Sequence, residues 1–96
     1  MPAYVIADVD VVDPERYGDY TAGTPESVAR HGGRFVVRGG ATRVLEGDWN
    51  PGRIVVLEFP TVDAALGWFN SDDYQELAAI RREASTARLI VAEGVT

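Results

Sequence analysis

The chain has 96 residues, room for one domain (1–96), and its 46% hydrophobic and 25% charged residues are the balance of a folded globular protein. Nine basic against fifteen acidic residues give a formal charge of −6, which argues against nucleic acid and against an anionic membrane surface as partners. The absence of cysteine excludes disulfides, thiolate catalysis and thiolate metal sites. No apolar run approaches the roughly 20 residues of a membrane span, and "MPAYVIADVDVV" lacks the basic start and cleavage motif of a signal peptide, so the cytoplasm is the expected compartment.

Residues 3–9, "AYVIADV", predict a first strand. A helix follows, with Asp13 as cap, Pro14 at its first position and Glu15 in its first turn. Tyr17, Tyr20, Thr24, Val28 and His31 recur at helical spacing and form one stripe. Pro25 lies inside that pattern, so the helix is expected to kink or restart there with Thr24 as a second cap, and to stop at Gly32-Gly33. "RFVVR" predicts the second strand, broken or bulged at Gly39-Gly40. "TRVLEG" is expected to stay extended and "DWNPG" to turn, so that a hairpin forms with "RIVVLEF", the strongest strand. Pro60-Thr61 opens a helix over "VDAALGWF". Ser71 caps another helical piece running to about Ser85, and "RLIVAE" closes the chain as a strand.

The order β-α-β-β-α-β, with the second helix in two pieces, is the ferredoxin-like motif: an α+β sandwich with an antiparallel sheet and helices on one face. Both faces of the strongest strands are apolar: Val55, Leu57 and Phe59 against Ile54 and Val56, and Val5, Ala7 and Val9 against Tyr4 and Ile6. Helices cover one face, and a two-fold homodimer joined sheet to sheet is the simplest closure for the other.

The segment "HGGRFVVRGG" holds the only histidine. Its glycines follow a helix and precede a strand, the wrong polarity for a phosphate loop, and read as a helix stop and a strand bend. His31, at a helix C-terminus, reads as a cap or packing residue, or as a general base near neutral pH. Without cysteine or a second histidine it is not expected to ligate a catalytic metal. Arg34 and Arg38 would share one strand face with Val36, Arg34 guarding an edge. Asp8 and Glu58 interrupt apolar strands. With those strands read as parallel neighbours, an Asp8–Arg38–Glu58 cluster forms, either an ion network or a polar pocket. Tyr74, Leu77, Ala78, Arg81 and Ala84 share a helix face directed at the sheet, so Arg81 is expected to carry its charge inward, toward a carboxylate or a bound anion. Trp68 reads as core, and Trp49 as packing across the dimer or as ligand contact.

"DPERYGDY", "HGGRFVVRGG", "LEGDWNPGRIVVLEFP", "AALGWFNSDDYQEL" and "RLIVAEG" together resemble an uncharacterised bacterial family catalogued as domain of unknown function 1330, within the dimeric α+β barrel superfamily. The resemblance covers nearly the whole chain. It implies a ferredoxin-like subunit whose sheet pairs with that of its twin to form a barrel. It implies no reaction, because the superfamily's cofactor-free monooxygenases, lactone isomerases, small dehydratases and haem enzymes share the fold rather than catalytic residues.

Two functions fit the residues. One is a cofactor-free pocket between helices and sheet for a small, partly apolar acid or ketone, with His31, Arg38 and Glu58 as candidate catalytic groups and Tyr20, Tyr74, Arg81 and Trp49 as candidate binding groups. The other is a non-enzymatic dimer, either a ligand sensor or a structural module.

Overall fold

In the computed structural model, which describes residues 1–95, the chain forms β1 (Ala3–Val11), α1 (Pro14–Arg30), β2 (Arg34–Arg38), β3 (Arg53–Phe59), α2 (Val62–Phe69), α3 (Asp72–Ala84) and β4 (Ser85–Glu93). The strands make one sheet in the order β2-β3-β1-β4, and every neighbouring pair is antiparallel. This is the ferredoxin-like α+β arrangement. No helix is long and apolar enough to cross a membrane.

Each helix starts where its cap chemistry dictates. Asp13 accepts from the backbone N–H of Arg16, Thr61 from that of Ala64 and Ser71 from that of Tyr74. Helix α1 ends at Gly32, whose φ of +81° suits glycine, with the N–H groups of Gly32 and Gly33 returned to the carbonyls of Ala29 and Val28.

The sheet is two-faced. Ala3, Val5, Ala7 and Val9 of β1 and Leu57 and Phe59 of β3 are buried under the helices, together with Val28, Ala65, Trp68, Tyr74 and Ala78. The opposite face carries an apolar row across all four strands, in which Val37 pairs with Val56, Val56 with Ile6 and Ile6 with Ile90. Ile6 is 37% and Ile90 62% exposed in the protomer.

Four expectations are corrected. Strands β1 and β3 are antiparallel, since a strand that returns between β1 and β2 after a helical crossover runs against both. Asp8 therefore pairs with Ile54 while Glu58 pairs with Tyr4, at opposite ends, and no Asp8–Arg38–Glu58 cluster forms. Strand β2 ends before Gly39, one of the two outcomes expected at the glycines, but its bulge lies near Val36, where the register shifts between Phe35 and Val37. The bulge inverts the side-chain parity: Arg34 stands opposite Glu58 on the open face, and Arg38 stands opposite Val55 on the helix face. "TRVLEG" forms no strand, because β2 already occupies the free edge of β3. Finally, α1 does not restart at Pro25, although its hydrogen-bond ladder is interrupted there as the missing donor requires. Proline offers no N–H to the carbonyl of Thr21, and that carbonyl is satisfied instead by the Thr24 hydroxyl at 3.2 Å and the Arg38 guanidinium at 3.0 Å.

Candidate functional site

The stripe of α1 and the stripe of α3 face the covered side of the sheet and leave a cleft between them. Val5, Ala7 and Val9 of β1, with Val55 and Leu57 of β3, form its apolar floor. Tyr17, Tyr20 and Thr24 project from α1, and Trp68 and Arg81 from α2 and α3. Arg38 and Arg53 enter from the ends of β2 and β3. As it stands, the cleft has about 30 Å³ of space for water centres, enough for one or two waters.

Its charged groups are all donors. Arg81 is 6% exposed, as its place on the α3 stripe predicts, and its Nε donates to the Tyr74 hydroxyl at 3.4 Å. That hydroxyl lies 2.9 Å from the Tyr20 hydroxyl. Burial, and then the neighbouring Tyr74, push the Tyr20 phenol well above the usual tyrosine range, so it stays protonated. Burial raises Tyr17 as well, against the opposing pull of Arg53. Arg38 lies over the Phe35 ring at 4.3 Å and reaches across the mouth to Thr21. Arg53 sits 5.8 Å from the Tyr17 ring centroid. Its guanidinium packs on Gly39, whose φ of +71° and missing Cβ leave the space it fills. Neither the Nε of Arg53 nor the indole N–H of Trp68 has an acceptor among the described residues.

Among the described residues Arg16, Arg30, Arg34 and Arg88 take carboxylate partners within 4.0 Å; Arg43 and Arg82 have none but are exposed outside the cleft, and Arg38, Arg53 and Arg81 of the cleft have none either. No acidic side chain lines the cleft. In a chain with six more acidic than basic residues, three guanidinium groups without carboxylates converge on one apolar recess.

Of the residues singled out in the sequence, the structure brings Tyr20, Arg38 and Arg81 to this cleft, with Tyr74 bonded to two of its lining groups. It does not bring Glu58, His31 or Trp49 there. Glu58 lies on the open face, where the Tyr4 hydroxyl and then Arg34 hold its carboxyl below the usual range, and the Tyr4 phenol is raised in return. Trp49 is also on that face and donates to Asp8 at 3.2 Å. Asp8, held low chiefly by the Gly52 backbone N–H and by Trp49, further pairs with Arg88. Arg53 and Trp68 were missed as site residues. Arg53 was within reach of the alternation, since Phe59, Leu57 and Val55 point to the helices and the next residue in step is Arg53.

His31 caps α1 outside the cleft, with Nε2 3.4 Å from Asp73 on α3. Asp73 also accepts from Ser27 at 2.9 Å and from Arg30 at 3.2 Å, so this network joins α1 to α3. Hydrogen bonds from Ser71 and Ser27 hold the Asp73 carboxyl down to about 2, from an ordinary 3.8. A carboxyl depressed in the folded state stabilises it fully above the ordinary value and loses that contribution as pH falls through the depressed one. Asp73→Asn is therefore expected to lower stability near neutrality and to make the decline between about pH 4 and 2 shallower. Urea midpoints measured through that interval check it, and an acid limb as steep as that of the unsubstituted protein would overturn it. Among the described residues no group of three His, Cys, Asp or Glu side chains could hold a metal ion.

No curated protein matches the chain. Several solved structures do. RPA0582, a protein of unknown function from Rhodopseudomonas palustris, is 23% identical over 99% of this chain and 83% of its own, with a TM-score of 0.75. SnoaB, a cofactor-independent oxygenase from Streptomyces nogalater, is 18% identical over 99% of this chain and 94% of its own, with a TM-score of 0.66. A dimeric protein of unknown function with a ferredoxin-like fold from Bacteroides fragilis is 14% identical over 97% and 96%, with a TM-score of 0.59. At these identities the likeness shows the fold alone. The sequence profile of one family matches residues 2–95, nearly the whole chain, and the chain therefore belongs to the family described as domain of unknown function 1330 (DUF1330).

Proposed function

We propose that this protein is a homodimer that binds a small, partly apolar acid, or the anion of an enolised ketone, in the cofactor-free cleft between α1, α3 and the sheet. The observation that carries the reading is the convergence of Arg38, Arg53 and Arg81, none with a carboxylate, on an apolar recess that no acidic side chain lines. Of the three, Arg81 is buried, Arg53 half-buried and Arg38 exposed. A buried guanidinium without a counter-charge opposes folding by several kcal/mol, so a bound anion offsets a penalty chiefly at Arg81. The dimer rests on the apolar row of the open face, and a structurally similar protein from Bacteroides fragilis is described as dimeric.

Arg81→Met tests the binding reading, because methionine keeps part of the stem and removes the charge. Small carboxylic acids and ketones are screened for thermal stabilisation; one present at 100 times its Kd raises stability by about 2.7 kcal/mol. The free variant is expected to be at least as stable as the original protein, since an uncompensated buried charge is gone, and ligand-induced stabilisation is expected to vanish. Equal losses with and without ligand would mark Arg81 as a structural group and sink the reading.

The same lining favours a binding module over an enzyme with its own base. Among the described residues the cleft is lined by no histidine or carboxylate, and Tyr20 and Tyr17 stay protonated as donors. As an enzyme, the protein would act by stabilising a charge that develops on the ligand. Oxygen uptake or product formation with an acid that binds would separate catalysis from sensing.

A further inference from the structure

We propose, building on the anion-binding reading, that the ligand is an elongated aromatic acid with a second, uncharged acceptor oxygen at the end remote from its carboxylate. Two buried donors carry the inference. The indole N–H of Trp68 and the Nε of Arg53 are sealed from solvent without an acceptor among the described residues, and both side chains line the cleft. A buried donor left unpaired opposes folding, and native structures leave few. The cleft has room for one or two waters, which can pair these donors; two of them on the walls of one cleft also fit acceptors carried by a molecule that widens it and displaces that water.

The two donors stand at opposite ends. Trp68 packs at the end of the sheet marked by Phe59, with ring centroids 5.5 Å apart. Arg53 opens the same strand six residues earlier and lies against Tyr17. At roughly 3.3 Å of rise per residue, one atom cannot serve both. The ends also differ in chemistry. Arg53 is charged and has no carboxylate, so it takes the anionic group. Trp68 is neutral and a donor only, set among Val5, Val28 and Leu57, so it takes a carbonyl or ether oxygen. Between them Tyr17 and Tyr20 line the cleft with ring centroids 5.4 Å apart over the apolar floor, and the fully buried Tyr74 backs Tyr20 at 6.3 Å. That wall suits a flat ring, and a lining without acidic side chains gives an amine no partner.

Three probes separate the two ends: 4-acetylbenzoate has both acceptors, 4-isopropylbenzoate has the carboxylate and a near-isosteric apolar group, and 4-methylacetophenone has the carbonyl alone. Titration calorimetry on the full chain is expected to show 4-acetylbenzoate binding about tenfold or more tightly than either of the others. Trp68→Phe keeps a packed ring and removes the N–H; it is expected to erase the preference over 4-isopropylbenzoate and keep the preference over 4-methylacetophenone. Arg53→Met is expected to do the reverse. Equal affinity of the unsubstituted protein for the two acids overturns the proposal, as does a preference that survives Trp68→Phe. If Trp68→Phe does not fold, the comparison of the two acids on the unsubstituted protein decides. Should both acids bind equally and both lose binding in Arg81→Met, the uncharged acceptor is refuted while the anion site stands. Should no probe bind, the proposal falls, and the screen of other acids and ketones decides the anion site separately.

Discussion

Ile6→Asp is expected to leave a monomer at concentrations where the unsubstituted chain is a dimer. Ile6 sits on β1, a central strand, in the middle of the apolar row that runs from Val37 through Val56 to Ile90. In a protomer standing alone the position is 37% exposed, and a polar residue there would cost little beyond strand propensity, about 1 kcal/mol. In a two-fold sheet-to-sheet dimer each copy places the new carboxylate in the interface, unpaired, at a cost of several kcal/mol per site. About 3 kcal/mol at each of two sites would raise the dimer Kd more than a thousandfold. Light scattering across a concentration series measures it, with Ile6→Thr as the control that keeps β-branching. A monomeric original chain, or an Ile6→Asp variant that still dimerises at micromolar concentration, would mean that the open face meets no second sheet. The segment 39–52 belongs to the same question. It is pinned over that face by the contacts of Trp49 and Gly52 with Asp8, and it carries Leu45 98% exposed.

The fold was legible because its signals are local and repeated. Two-sided apolar strands, capped helix starts and a glycine stop each act within a few residues, and together they give the β-α-β-β-α-β order. The site was legible only in part. Helical spacing put Arg81 inward, and strand alternation would have put Arg53 inward had the reading continued past Val55 to the first residue of β3. Arg38 could not be placed, because the bulge near Val36 inverts the parity of β2 and nothing in "RFVVR" announces it. Asp8 and Glu58 were misjudged through strand direction, a property of the whole topology. The unpartnered N–H of Trp68 is a fact about three-dimensional neighbours and has no signal in the sequence.

At Pro25 the local rule is right about the lost helical bond and wrong about a restart. Its ring removes the N–H that would close on the Thr21 carbonyl, a loss of about 3 kcal/mol in a helix interior. The helix runs through because Thr24 and Arg38 supply the missing donors. The proline therefore exposes a carbonyl on the wall of the cleft, and the carbonyl holds Arg38 across its mouth. Pro25→Ala is expected to raise the stability of the free protein by about 1–3 kcal/mol, as the new N–H takes the Thr21 carbonyl in the helix ladder. It is also expected to release Arg38. Arg38→Ala should then cost less in the Pro25→Ala background than in the original chain, with a coupling of about 1 kcal/mol in the double-mutant cycle. Denaturant unfolding of the four proteins measures both quantities. Stabilities that add within about 0.3 kcal/mol would mean that Arg38 draws nothing from Thr21. A Pro25→Ala variant less stable than the original would mean that the chain around Thr21 is not free to close the helical bond, and that the proline is matched to a local geometry alanine does not hold.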